Sequence, residues 1–292
     1  ENVLRVQAKE MRDAGIDIVV IFWNDCYAKE KERVEKTMEV FGKEGLQGFI
    51  GIDLNWTLEK VEDQIQDMKE RLDIVVNEYI PNSKSKYNNF FYTDSVSGLP
   101  ICMVYATVGD IDVWDDVVIK YREETRNMIY ICGIAAESML YSKAFDGVFW
   151  TGTPKKHSDQ PAHENHLKIL EQENGMFYMG GLVAGFDFLK KDYEVNLERD
   201  NSYAFNKKWS ALINAKTPSG NQIDHIYVPF NDWGEGGSIE PASDNPPVRE
   251  GKSPYKTFAP LHSTDYLYLN YARAKEFKRT RRKNNDEQRK IS

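Results

Sequence analysis

The chain has 292 residues, 41% of them hydrophobic, and a formal net charge of −8 from 38 Lys and Arg against 46 Asp and Glu. That length and apolar fraction suit one large α/β core. The negative balance argues against nucleic acid or an anionic membrane as partner, since both need clustered positive charge, and is compatible with a neutral, hydroxyl-rich ligand.

In chain order, a helical pattern at 3–14 precedes an apolar run at 16–23. A helix is predicted at 31–42, a second apolar run at 48–54, a long helix at 58–79 and a polar loop at 81–98. Apolar runs at 100–107, 128–135 and 145–150 follow, with a helix at 114–125 after the first of them. Beyond a loop at 151–161 come a helix at 162–174 and the runs 176–184 and 225–230. An irregular stretch at 238–260 leads to a terminal helix at 267–283 with a basic, solvated end.

Strand-length apolar runs alternating with amphipathic helices indicate βα units around a parallel sheet, and near-continuous apolarity implies strands buried on both faces. A barrel and a doubly wound open sheet both fit. The (β/α)8 barrel of the TIM type is preferred, because no glycine-rich phosphate loop follows an early strand and polar residues are scattered over several strand ends. Seven runs are one short of closure, so the first barrel strand is expected upstream of Glu1. The expected division is a barrel domain over 1–270 and a basic C-terminal helix or tail over 271–292.

Cys26, Cys102 and Cys132 form no CxxC pair and lie in or beside apolar runs, so buried thiols are expected and no disulfide framework. No apolar stretch reaches the ~18–20 residues of a membrane span. The sequon Asn55-Trp56-Thr57 follows a strand at the expected barrel mouth, where a glycan would obstruct the site, so none is expected.

The active site of such a barrel is built at the C-terminal ends of its strands. Those positions hold Asn24, Asp25, Asp53, Asn55, Tyr105, Asp110, Glu137, Trp150, Asp187, Asp232 and Glu235. Carboxylates can act as acid and base at a glycosidic bond, and flat aromatic rings can cover the apolar faces of a sugar. The densest segment is YVPFNDWGEGGSIEP at 227–241, in which Asp232, Glu235 and Glu240 crowd one glycine-rich turn. Gly234, Gly236 and Gly237 allow a turn that aims Asp232 and Glu235 into one mouth, and close like charges raise one carboxyl pKa. A solvated acidic loop is the alternative.

The segment FNDWGEGGSIEP resembles the S/F-N-E-W-H-E-G-T-x-I-E segment of glycoside hydrolase family 99, the endo-α-1,2-mannosidases and endomannanases. Similar W-N-E-W-x-E-G segments occur in polysaccharide-biosynthesis proteins. Further pieces fall in the same order: GFIGIDLN at 48–55 against F-H-I-E-P-Y, GLPICMVY at 98–105 against A-L-P-M-F-Y-V-Y, the run at 145–150 against F-D-G-I-Y, and AGFD at 184–187 against P-G-[FY]-x-D.

The resemblance implies a retaining, cofactor-free and metal-free hydrolase of α-mannose-containing oligosaccharides or N-glycans, working in the Golgi or endoplasmic-reticulum lumen or outside the cell. It casts Asp232 as the base for the sugar 2-hydroxyl, Glu235 as the acid/base and Asp53 as a sugar-binding and supporting carboxylate. Asn24, Tyr105, Glu137, Trp150, Asp187, Asn231, Trp233 and Glu240 are expected to contact the sugar. Asp232 and Asp53 stand where the family has Glu, and Gly51 and Gly234 where it has His. These departures favour a divergent branch with a changed substrate or a lost activity.

Two histidines at i and i+3, His163 and His166, form an HxxH pair for which a structural or surface role is expected rather than a metal site. Glu137 could instead cap the next helix, Asp25 and Asp110 could do the same, and Trp23, Trp150 and Trp233 could be core. The alternative to a hydrolase is a catalytically weakened barrel that binds a glycan or serves as a structural or interaction module. A glycosyltransferase-like enzyme is a third reading, for which no donor site is visible.

Overall fold

The computed structural model describes residues 1–24, 28–53, 55, 57–80, 87, 89–94, 97–105, 112, 115, 117–120, 123, 129–133, 140, 142, 145–150, 160–173, 177–184, 186–187, 196–197, 202–231, 239–241, 261–262 and 264–291. They form two compact units, one of residues 1–9 and 17–149 and the other of residues 10–16 and 150–292.

The first unit is a parallel sheet with helices between its strands. Each apolar run that falls in it contains a strand: β1 (Ile18–Trp23), β2 (Gln47–Ile52), β3 (Ile101–Val104), β4 (Ile129–Gly133) and β5 (Gly147–Trp150). They pair in sequence order, all parallel, in a register that sets Trp23 opposite Ile52, Ile52 opposite Val104 and Val104 opposite Cys132. Both faces are covered, as the unbroken apolarity demanded: Phe49, Ile50, Ile52, Ile101, Cys102, Met103, Val104, Val148 and Phe149 are all buried.

Helix α1 (Asn2–Asp13) precedes β1, α2 (Ala28–Lys43) follows it, and α3 (Val61–Ile74) follows β2, running on into a wider π-helical segment at Val75–Tyr79. Residues 117–120 are helical, within the helix expected after β3. Helix α2 is closed by Gly45, whose φ of 78° is the left-handed conformation that favours glycine, with Leu46 N–H donating to the Phe41 carbonyl at 2.9 Å.

The long loop expected at 81–98 carries part of this core. Phe90 is fully buried, its carbonyl accepts from Gly48 N–H, and Tyr92 N–H donates to the Gly48 carbonyl. Gly48 is the second residue of β2, so the described part of this loop that meets it packs at the N-terminal end of the strands, opposite to the end expected to hold chemistry.

In the second unit β6 (Phe177–Gly181) pairs in parallel with β9 (His225–Tyr227), while β7 (Phe186–Asp187) and β8 (Asn196–Leu197) form a short antiparallel pair. Helix α4 (Gln160–Glu173) precedes β6, and α5 (Tyr203–Asn214) lies between β8 and β9. Helix α6 (Asp265–Ile291) continues past the terminal helix expected from the sequence. It is docked: Asn270 Nδ2 donates to the Ala14 carbonyl at 2.9 Å, Lys278 Nζ to that of Gly15, and Arg281 Nη1 to that of Asp224. Lys278 and Arg281 in its basic end thus bind backbone while Arg279 and Arg282 beside them are exposed.

The fold is mixed α/β with parallel strands, and the described strand pairings do not close a barrel. Among the described residues no helix is long and apolar enough to cross a membrane.

Candidate active site

Parallel register decides which residues share the C-terminal edge of the first unit. The ladder continues one step beyond the strands: Asp53 N–H donates to the Trp23 carbonyl at 3.0 Å, and Tyr105 N–H to the Ile52 carbonyl at 2.7 Å. Asn24, Asp53 and Tyr105 therefore follow the last residues of β1, β2 and β3 in one row. Asn24 is exposed, and Asp53 and Tyr105 are half-buried. Because side chains alternate along a strand, this row shares a face with Phe22 and Gly51, one pair further in. The ring contacts agree: Tyr105 meets Phe22 edge-on at 5.0 Å and Phe149 at 5.8 Å.

The same alternation turns Trp23 to the opposite face, where it is fully buried and stacked on Tyr79 at 6.2 Å. Trp23 is core. The Gly51 position is explained by its neighbour. A Cβ built there would meet two Phe22 ring carbons at 3.0 Å and Val20 Cγ1 at 3.1 Å, so Phe22 fills the space that a larger residue would need.

Beneath the row lies a buried polar network that the sequence reading missed. Arg71 of α3 is fully buried and pairs with Asp67, one turn earlier, which is 6% exposed. Its Nη1 donates to the Trp23 carbonyl, the same oxygen that receives Asp53 N–H. Asp67 Oδ1 accepts from Asn55 Nδ2 at 3.4 Å, and Asn55 Oδ1 accepts from Thr57 N–H at 3.2 Å and from its hydroxyl at 2.6 Å. Asn55 is 3% exposed, so its amide is inaccessible as a glycan acceptor. The i, i+4 spacing of Asp67 and Arg71 was visible, but on an amphipathic helix such a pair is ordinarily solvated.

In the second unit Val228, Pro229 and Phe230 lead from β9 to the acidic segment. Ile239 N–H and Glu240 N–H both donate to the Phe230 carbonyl, at 3.1 and 2.8 Å, so the chain returns at 239–240 to the point it left at Phe230. Asn231 is exposed and Glu240 half-buried at this neck. Asp232, Trp233, Gly234 and Glu235 lie outside the described residues, as do Asp25, Asp110 and Glu137. Asp187 sits in β7, opposite Asn196 of β8.

Trp150, the last residue of β5, has its ring centroid 4.5 Å from that of His166 on α4. His163 and His166 are 1% and 2% exposed, which removes the surface alternative for the HxxH pair. Both turn Nδ1 to the buried Tyr178 hydroxyl, at 2.7 and 3.3 Å. A phenol has one proton, so one imidazole accepts it and the other donates to the oxygen, a structural arrangement. Burial pushes the Tyr178 pKa upward, keeping the hydroxyl a donor. Among the described residues no cluster of three or more His, Cys, Asp or Glu could hold a metal.

No protein-family model matches the chain, and no curated protein matches its sequence. Among solved structures, the glycoside hydrolase family 99 endo-α-mannosidase from Bacteroides thetaiotaomicron is similar with a TM-score of 0.73 at 17% identity, over 96% of this chain and 80% of that one. A structure of that organism's family 99 endo-α-mannosidase in complex with bis-tris propane gives 0.75, again at 17% identity, over 96% and 85%. The resemblance carried by the segment at 227–241 thus extends to the fold. Over nearly its whole length the chain has the fold of a family 99 endo-α-mannosidase.

Proposed function

We propose that this protein is a divergent family 99 glycoside hydrolase that closes into a (β/α)8 barrel and cleaves α-mannose-containing glycans in the endo-α-1,2-mannosidase manner. The observation that carries this reading is the family 99 fold over 96% of the chain in a sequence whose NDWGEGGSIE segment begins four residues after the end of β9. Asp232 takes the proton of the sugar 2-hydroxyl as O2 attacks the anomeric carbon, while Glu235 protonates the departing glycosidic oxygen. Glu235 then deprotonates the water that opens the resulting epoxide at the anomeric carbon, and O2 recovers its proton from Asp232. Two inversions give net retention.

Asp53, Asn24 and Tyr105 bind sugar hydroxyls and ring faces from the ends of β1 to β3. Asn231, Trp233 and Glu240 do so from the segment after β9, and Glu137 and Asp187 supply further sugar contacts, whereas Trp150, packed on the buried His166, serves the core. The partner is an oligosaccharide or N-glycan.

The test is hydrolysis of a panel of α-1,2-linked manno-oligosaccharides, with a glucosylated member, by this protein and its Glu235→Gln variant. Turnover abolished by the substitution establishes hydrolase and acid together. The second reading, a glycan-binding or structural barrel, is favoured by Asp232 and Asp53, each shorter than the family Glu by roughly 1.5 Å of chain. A folded protein that binds the panel without turnover establishes that reading instead.

A further inference from the structure

We infer that the buried Asp67–Arg71 pair is a positioning device for Asp53, an inference that rests on the reading of the strand ends as a glycosidase site. Asp53 is bracketed. On its N-terminal side its N–H is tied to the Trp23 carbonyl, which Arg71 also grips. On its C-terminal side Asn55 is tied by its amide to Asp67, and Thr57 closes on Asn55 from the other direction. Asp67 and Arg71 hold each other at 2.5 Å, so both brackets are fastened to one turn of α3.

A buried ion pair is poor evidence for stability, because an apolar pair of similar volume commonly serves as well. What an apolar pair lacks is direction. The guanidinium supplies a donor to the end of β1 and the carboxylate an acceptor to the exit of β2, the two points between which Asp53 sits. Asp also has only two side-chain torsions, so the backbone at 53 decides where its carboxylate lies more completely than it would for Glu. A displacement of about 1 Å at a reacting centre costs about 100-fold in rate. Arg71 acts on Asp53 through the Trp23 carbonyl and Asp67 through the side chain of Asn55.

The experiment is a cycle on the full chain with an α-1,2-linked manno-oligosaccharide. kcat/KM is measured for the native protein, for Asp67→Leu with Arg71→Met, for Asp53→Ala, and for all three substitutions together. The paired substitution is expected to lower kcat/KM about 10- to 100-fold in the native background and less than about 3-fold when Asp53 is already Ala, in protein that remains folded by circular dichroism at the assay temperature. An equal loss in both backgrounds, or no loss, overturns the inference, because a merely structural pair would act regardless of Asp53.

Should the paired variant fail to fold, Thr57→Val, at an exposed position, loosens the Asn55 end alone. It is expected to cost about 2- to 5-fold with the same dependence on Asp53, and its absence overturns the inference. A native protein without turnover is a different result: it refutes the glycosidase reading first and this inference with it.

Discussion

Replacing Arg71 by Met, with Asp67 left in place, tests the buried network most directly. Arg71 is 0% exposed and Asp67 6%, so the substitution strands a carboxylate in the core with Asn55 Nδ2 at 3.4 Å as its remaining described side-chain donor. Breaking a buried pair in this way costs about 3–5 kcal/mol. Replacing both partners, Asp67→Leu with Arg71→Met, removes the charge altogether. The Trp23 carbonyl keeps the Asp53 N–H, and the residual loss is that of the Asn55 contact, about 1–3 kcal/mol. The single variant is therefore expected to be less stable than the double, by roughly 2 kcal/mol. Urea unfolding followed by tryptophan fluorescence gives both values. A single variant as stable as the double would show that Asp67 is hydrated or neutral, and the bracketing of Asp53 would lose its physical basis.

Gly51→His should overpack β1 against β2 at a cost of about 1–3 kcal/mol, and Phe22→Ala should recover much of it, since the added Cβ meets Phe22 at 3.0 Å; denaturant midpoints of the two variants check this. Burial pushes the Cys102 thiol up to about 12, so iodoacetamide at pH 8 should alkylate Cys102 only in denaturant, as read by peptide mass spectrometry. Labelling of the native protein would contradict the buried sheet. Burial likewise lowers the Lys208 ammonium to about 8. The unfolded chain holds that proton up to about 10.4, so between pH 8 and 10 it binds more protons than the folded one and stability rises with pH. Below pH 8 both states are protonated and the penalty, about 3 kcal/mol, is constant. Lys208→Met should flatten the rise, and an unchanged pH profile of unfolding would refute it.

The strands were legible because burial on both faces leaves a run with no polar interruption, as in Ile101–Val104, whose four residues are all buried. Helix α5 was passed over although Phe205, Trp209, Leu212 and Ile213, all buried, are spaced at i, i+4, i+7 and i+8. The hydrophobic period would have found it. At the candidate site the row of Asn24, Asp53 and Tyr105 could be read as strand ends, but which face each residue takes depends on where pairing starts. Trp23 shows the difference, one residue from Asn24 and on the opposite side. The Arg71 network was not legible, since nothing in a sequence separates a buried i, i+4 pair from a solvated one, and the Trp23 carbonyl it meets is 48 residues away. The carboxylates at 232 and 235 rest on motif resemblance, their placement lying outside the described residues.

The neck at Phe230 makes the segment after β9 a graft on a fixed stalk. One carbonyl receives the chain back at both 239 and 240, so the two ends of the insert meet at Phe230. Changes of length within such an insert alter the entropy of closing a loop, which grows by only about 0.6 kcal/mol per doubling, and leave the strand beneath untouched. The reach of a carboxylate and the register of the sheet can thus vary independently, and a lineage can shorten Glu to Asp there and compensate by the run of glycines without disturbing the frame.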